Sequence, residues 1–214
     1  MANTSKTVLF DVNGSGGPIL PANTSAASLT GTGTRIVTAD TNGVFGTNAA
    51  AVTLWTKTAD TGISNTVTET TILDTGVGSK TLAAAFLTVG KSVTFEIVGR
   101  YSNTGTPTIR FRFKLGAVTL LDSTAITTPS GVTDKQFRFS GGFTCRTTGA
   151  GGTVFSHGLL YLDGAATPFT AIVNTGTNAA DTTGTLALAA TVEWGTADAA
   201  NVVTSTNGIF ESKG

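Results

Sequence analysis

The stretch that decides the fold runs from Lys91 to Gly116 and reads KSVTFEIVGRYSNTGTPTIRFRFKLG. Apolar residues occupy alternate positions in its first half and again in its second half, which is typical of half-buried antiparallel strands. Residues 102–107 lie between the two halves and contain Asn, Gly and Pro, which favour turns. The pattern predicts a β-hairpin whose apolar face carries Val93, Phe95, Ile97, Ile109, Phe111 and Phe113.

The opposite face of this predicted hairpin carries charge. We expect Arg100, Arg110, Arg112 and Lys114 to lie together there, with Glu96 offsetting part of their charge. A nucleic-acid patch requires exposed aromatic side chains among the cations, and the aromatic side chains here point inward. We therefore interpret the charged face as a solvated or subunit-facing wall.

The rest of the chain predicts a cover for the apolar face. Short apolar runs alternate with Gly/Thr-rich turns, which indicates an all-β fold: an antiparallel jelly-roll-like β-sandwich with an extended N-terminal arm of short strands. Residues 82–87 are expected to form one helical turn at an end of the sandwich. The predicted strands lie near Glu69–Asp74, Ser92–Tyr101, Thr108–Leu115, Val118–Leu121, Lys135–Arg146, Thr153–Leu162, Thr170–Asn174, Thr185–Trp194 and Asn201–Glu211.

The composition is poor in charge. Only 12% of the 214 residues are charged, compared with about a quarter in an average protein, and the net charge is zero. No overall field therefore draws the chain to nucleic acid or to an acidic membrane. No apolar run reaches the roughly 20 residues of a membrane span, and the N-terminus lacks the apolar core of a signal peptide. We expect a protein made in the cytoplasm that stays soluble until it assembles.

The first part of the chain differs from the remainder. Residues 1–66 contain small polar residues and short apolar pieces that cannot form a core alone, so we predict an arm over 1–66 and a sandwich domain over 67–214. Large apolar side chains in this arm should be buried against partner chains. The predicted interface residues are Phe10, Ile36, Phe45, Leu54 and Trp55.

Several short patterns resemble catalytic motifs. Asp60-Thr61-Gly62 and Asp74-Thr75-Gly76 spell the aspartic-protease triplet, but both lie where strands are expected to turn. Ser156 and His157 are adjacent in a predicted strand, so their side chains should diverge. Cys145 is expected to be a small buried core residue. The sequence predicts no catalytic, cofactor-binding or metal-binding residue and no enzyme activity.

Two stretches resemble proteins of tailed bacteriophages. Residues Thr70–Leu82, followed by Phe86–Lys91, carry a GSKTL…FL..G pattern similar to that of the β-sandwich module of phage virion proteins. The TGTPT segment at Thr104–Thr108 and the CRTTG segment at Cys145–Gly149 extend the resemblance over roughly residues 67–214. The segment Gly31–Gly43 resembles the joints of phage tail fibres. The resemblance implies a structural role, usually as a trimer on a capsid or tail.

The resulting hypothesis is a structural component of a bacteriophage virion. It would be a homotrimeric fibre or capsid decoration protein, assembled in the host cytoplasm and attached by its N-terminal arm to other phage structural proteins. The alternative is a receptor- or carbohydrate-binding module at the virion surface, which requires exposed aromatic side chains. Tyr101 and Tyr161, at the ends of predicted strands, are the candidates for this role. We expect no cofactor, no nucleic-acid partner and no membrane insertion.

Overall fold

A computed structural model describes residues 37–39, 45–47, 51–173 and 176–214 of the chain. The described residues contain strands and no helix, and they divide into two compact units, residues 1–50 and 51–214. The strands are β1 Val37–Ala39, β2 Phe45–Thr47, β3 Val52–Thr56, β4 Thr61–Ser64, β5 Thr70–Thr71, β6 Val77–Gly78, β7 Thr81–Leu82, β8 Ser92–Ser102, β9 Thr108–Leu115, β10 Val118–Asp122, β11 Ile126–Thr127, β12 Lys135–Thr147, β13 Thr153–Leu162, β14 Phe169–Val173, β15 Asn178–Ala179, β16 Leu186–Trp194 and β17 Val202–Lys213.

The second unit is a sandwich of two antiparallel sheets packed against each other. The large sheet has the order β14-β13-β12-β8-β17-β3-β6, with β15 beside β13 and β4 beside β17. The small sheet has the order β10-β9-β16-β5, with β11 beside β9 and β7 beside β16. In the first unit, β1 and β2 pair as a short antiparallel hairpin. The predicted all-β antiparallel sandwich with short N-terminal strands is therefore confirmed.

The predicted hairpin between β8 and β9 is wrong, although both strands exist. β8 pairs with β12 and β17 in the large sheet, whereas β9 pairs with β16 and β10 in the small sheet. The two apolar faces cover each other across the core, and the rings of Phe95 and Phe113 stack with centroids 4.0 Å apart. The connection between the strands is held by Asn103, whose Nδ2 donates to the carbonyls of Gly105 and Pro129.

The pairing of the four long strands β8, β9, β16 and β17 is nested. β8 pairs with β17 and β9 pairs with β16, so the first long strand is beside the last one and the second is beside the last but one. The strands between them do not alternate between the sheets, because β12, β13 and β14 form a meander in the large sheet. This meander produces a broad outer surface at one side of the large sheet.

The core is rich in aromatic side chains from both sheets. Phe111 of the small sheet lies between Phe137 and Phe139 of the large sheet, with ring centroids 5.1 and 5.9 Å away. Burial of each large apolar side chain contributes roughly 1.5–3 kcal/mol to folding. The largest side chains that are essentially fully buried are Trp55, Trp194, Tyr101, Phe111, Phe113, Phe137, Phe139, Phe143, Phe210, Ile72, Ile97 and Ile109.

The sandwich begins before the predicted boundary at residues 66 and 67. Strands β3 and β4 both pair with β17, so residues 51–66 belong to the compact unit that starts at Ala51. The helical turn expected at residues 82–87 is also absent. Ala85 adopts a positive φ of 55°, which ends any helical path, while Leu82 and Leu87 are buried in the core.

Candidate functional site

A groove lies on the outer face of the large sheet, over the β12–β13–β14 meander. Side chains alternate across a strand, so the inward Phe137 and Phe139 of β12 leave its neighbouring residues pointing outward. The groove has a volume of about 470 Å³. Its walls are formed by Gln136, Arg138 and Ser140 of β12, Leu159 and Tyr161 of β13, and Phe169 of β14.

Strand register aligns the central residues of this aromatic groove. Arg138 is opposite Tyr161, and Tyr161 is opposite Phe169, so the three residues form one row across three strands. The rings of Tyr161 and Phe169 are 4.9 Å apart and tilted by 40°. Phe169 is 61% exposed and the neighbouring Leu159 is 40% exposed. The row therefore presents apolar ring surface to solvent.

Polar groups flank this apolar surface. Arg138 hydrogen-bonds the carboxylate of Glu96 on β8, and both side chains stay substantially exposed. Gln136 and Ser140 make no side-chain hydrogen bond within the described part of the chain. These amide and hydroxyl groups line the groove beside the rings, where a polar ligand would contact them. Phe169 was not among the residues predicted for a site, because only the two tyrosines were proposed as exposed rings.

Of the two tyrosines predicted as binding residues, only Tyr161 lies in the groove. Tyr101 is buried, and its hydroxyl donates to the carbonyl of Asp163 at 2.6 Å. Burial, together with the nearby negative charge of Asp163, raises the pKa of Tyr101 to about 12. Tyr101 is therefore a core residue with a satisfied hydroxyl.

The outer face of the small sheet carries a closed charge network instead of a groove. The guanidinium of Arg112 is 2.8 Å from Glu69 and 2.6 Å from Glu193, and 3.5 Å from Asp122. Its side chain is only 11% exposed. The remaining members are Arg110, which binds Asp122, and Lys114, which is 3.1 Å from Glu69. Three cations are thus balanced by three carboxylates.

The network favours the charged form of two of its carboxylates, Glu69 and Asp122. Arg110 hydrogen-bonds Asp122 and thereby lowers the pKa of that carboxyl. Burial alone would raise the pKa of Glu69, but hydrogen bonds from Thr191 and Lys114 and the charge of Arg112 lower it. These directions indicate that the charged network stabilises the fold when the carboxylates are ionised.

The predicted grouping of four cations on one face is wrong for Arg100. Arg100 belongs to the large sheet and lies 3.5 Å from Asp134, because β8 and β9 are in different sheets. Glu96, expected to offset the cations of β9, binds Arg138 of the large sheet instead. On the outer face of the small sheet, the cation Arg112 is paired with Glu69 and Glu193, which are distant from it in sequence.

The structure describes the side chains of only two of the five predicted interface residues. Phe10 and Ile36 lie outside the described residues, and of Phe45 only the backbone, in β2, is described. Leu54 is partly buried at the edge of the core. Trp55 is fully buried in its own chain, where its ring packs against Phe210 and its Nε1 donates to Thr75. Trp55 therefore cannot supply a contact to another copy.

The residues of the short patterns that resemble catalytic motifs have positions that fit a structural role. Ser156 faces the core and donates to the carbonyl of Leu120, whereas His157 is exposed on the outer face, so the predicted divergence is confirmed. Cys145 is buried as predicted, and burial raises the pKa of its thiol. Asp60 and Asp74 both lie between strands, next to the buried Lys57.

Neither a metal cluster nor a membrane helix is found in the described residues. No group of three or more His, Cys, Asp or Glu side chains there is placed to hold a metal ion. Nor does any described helix have the length and apolarity needed to cross a membrane. Comparison with known proteins gives no matching family model, no matching curated protein and no matching solved structure.

Proposed function

We propose that the chain is a structural component of a bacteriophage virion, a homotrimeric fibre or capsid decoration protein attached by its N-terminal arm. The proposal rests on the resemblance of Thr70–Leu82 and the segments around it to phage sandwich modules. The fold supports it through one observation above all: residues 51–214 form a unit with a continuous aromatic core, separate from residues 1–50. We assign the attachment to the first of these two units.

The separation of the two units changes the expected attachment segment. Since β3 and β4 belong to the sandwich, the arm is confined to residues 1–50. Phe10, Ile36 and Phe45 remain the large apolar residues proposed to contact other copies or other phage structural proteins. Burial of each against a partner would contribute roughly 1.5–3 kcal/mol.

Counting the protein in purified virions tests this function. Quantitative mass spectrometry should find the protein in particles. Its copy number, calculated from its ratio to the major capsid protein, should be a multiple of three. Several hundred copies would indicate capsid decoration, and a few dozen or fewer would indicate a fibre. Absence of the protein from washed, infectious particles would contradict a virion role.

A second function, carbohydrate binding at the virion surface, is favoured by the aromatic groove. Binding sites for small ligands have volumes of about 300–1,000 Å³ and combine apolar walls with a few polar groups. The exposed ring of Phe169 and the adjacent Tyr161 offer a platform for the C–H face of a sugar ring. Gln136, Ser140 and Arg138 lie where they could bind the sugar hydroxyls.

An array of immobilised bacterial surface glycans, probed with the full chain, tests this second function. Phe169→Ala should weaken binding to the selected glycan about tenfold, which corresponds to a loss of ~1.4 kcal/mol. Val89→Ala, at a residue that is 67% exposed and is not part of the groove, is the matched control and should bind normally. Failure of the full chain to bind any glycan, or equal losses in both variants, would reject the groove as the site.

A further inference from the structure

A buried lysine in the β3–β4 connection faces the carboxylate of Asp74, whose side chain is 9% exposed. The side chain of Lys57 is completely buried, and its Nζ donates to Thr61 Oγ1 at 2.7 Å and to the carbonyl of Ile72 at 3.3 Å. Oδ1 of Asp74 lies 3.9 Å from this Nζ. Since a fully buried lysine side chain is rare, this contact requires an explanation beyond surface charge pairing.

The two oxygens of Asp74 have different surroundings. Oδ2 accepts hydrogen bonds from the backbone N–H groups of Thr58 and Ala59, at 2.9 and 2.7 Å, and from the Thr58 hydroxyl. Oδ1 is buried and has no hydrogen-bond partner among the described residues. The carboxyl group is thus fixed through Oδ2, and its unsatisfied oxygen is the one nearest to Lys57.

The surroundings also favour an amine that can lose its charge. Burial lowers the pKa of Lys57, against the opposing effect of Asp74 and Asp60, and the charge of Lys80 lowers it further. Burial alone would raise the pKa of Asp74, but the hydrogen bonds from Thr58 and Ala59 lower it. Lys57 therefore gives up its proton more easily than a lysine in water, while the hydrogen bonds to Oδ2 favour the charged carboxylate of Asp74.

We infer that Lys57 and Asp74 join covalently, forming an amide between Nζ and Cγ with loss of water. In this reaction the Nζ–Cγ bond forms and the Cγ–Oδ1 bond breaks. Two of the three ammonium protons leave with Oδ1 as water, and the third remains on the amide nitrogen. Ammonium and carboxylate thus supply every atom and proton, so no oxidant, metal ion or other reactant is needed.

The same contacts that hold the carboxyl group would assist the reaction. Once Nζ has passed one proton to Oδ1, the neutral amine can add to Cγ, and negative charge then develops on Oδ2, which faces the N–H groups of Thr58 and Ala59. Fixed donors aimed at a developing oxyanion are a common means of lowering such a barrier. The hydroxyl of Thr61, already bound to Nζ, is the neighbouring group that can transfer a proton. The product would link the end of β3 to the segment after β5.

Intact-mass spectrometry of the denatured full chain distinguishes this bond from a non-covalent ion pair. The wild-type protein should be lighter than its sequence by the mass of one water molecule. Lys57→Arg and Asp74→Ala should each match the masses of their own sequences. Because a variant can fail to fold, a peptide map of the wild-type protein is the second measurement. Because trypsin does not cleave after a lysine whose Nζ is in an amide bond, digestion should give one peptide of residues 36–80 that is lighter than its sequence by one water molecule.

Asp74→Asn gives a further check, since asparagine would release ammonia and yield the same cross-linked product. Its mature mass should equal that of the cross-linked wild-type protein. A wild-type mass equal to that of the uncross-linked sequence, with separate Lys57 and Asp74 peptides, would overturn the inference and leave a buried ion pair. The experiment does not involve virions or glycans, so its result is independent of the proposed function.

Discussion

The two outer faces of the sandwich carry charged residues in similar alternating patterns but differ in how those charges are satisfied. On the small sheet, Arg112 is nearly buried among three carboxylates, and the face is closed by its own ion pairs. On the large sheet, Arg138 and Glu96 remain exposed beside the rings of Tyr161 and Phe169. Charge alternation therefore identifies an outer face, but it does not distinguish a face that stabilises the fold from one that binds a ligand.

The largest effect is expected from removing the strands that complete the large sheet. A fragment of residues 51–214 should unfold cooperatively, because it keeps β3, β4 and the buried Trp55. A fragment of residues 67–214 should lose cooperative unfolding, since β17 then loses two paired neighbours. Circular dichroism during heating checks both fragments. If the shorter fragment melts as sharply as the longer one, the sandwich does not depend on residues 51–66.

The next largest effect is expected at a phenylalanine of the core, compared with a phenylalanine on the outer face of the large sheet. Phe111→Ala should lower the free energy of unfolding by about 3–5 kcal/mol, because Phe111 is fully buried between aromatic rings. Phe169→Ala removes the same atoms from an exposed site and should change the free energy of unfolding by less than about 0.5 kcal/mol. Urea unfolding measures both values. Similar losses would contradict the assignment of inner and outer faces.

A smaller difference is expected between two arginines on the outer faces. Arg112→Ala leaves Glu69 and Glu193 without their shared partner and should cost about 1.5–3 kcal/mol, the range for hydrogen bonds to charged groups. Arg138→Ala removes an exposed pair and should cost about 0.2–1 kcal/mol. The same urea experiment provides both values. Equal costs would mean that the two faces do not differ energetically.

Acid should weaken the small-sheet network. The pKa values of Glu69 and Asp122 are lowered from their ordinary 4.5 and 3.8, so the unfolded chain takes up protons at these residues before the folded chain does. Their stabilisation is present above about pH 5 and is lost as the pH falls through the lowered values. The melting temperature should therefore fall below about pH 5. Glu69→Gln should reduce this slope, and an unchanged slope would exclude Glu69 as a contributor.

Much of the fold could be predicted because strand alternation is a local property. The bounds expected for Thr108–Leu115 and Thr153–Leu162 coincide with β9 and β13. The partner of each strand could not be read from the same pattern. A turn-rich link such as residues 103–107 can return a strand to its own sheet or carry it across to the other sheet. This is why the predicted hairpin became two facing strands.

The candidate sites depend on contacts between distant residues, which explains why the sequence predicted them poorly. Arg112 meets Glu193 because β9 and β16 are neighbours in the small sheet, and it meets Glu69 because β5, which follows Glu69, pairs with β16. The groove exists because the β12–β13–β14 register aligns Arg138, Tyr161 and Phe169. Tyr161 was a predicted candidate on the basis of its aromatic ring, but no local signal distinguished it from the buried Tyr101.

The most direct test of the difference between the two faces measures stability and glycan binding on the same two variants. Arg112→Ala should lower the melting temperature while the folded protein keeps the affinity of the wild type for the selected array glycan. Phe169→Ala should keep the melting temperature and lose most of that affinity. A Phe169→Ala protein that melts as early as Arg112→Ala, with its glycan affinity intact, would contradict the assignment of a closed small-sheet face and an open large-sheet groove.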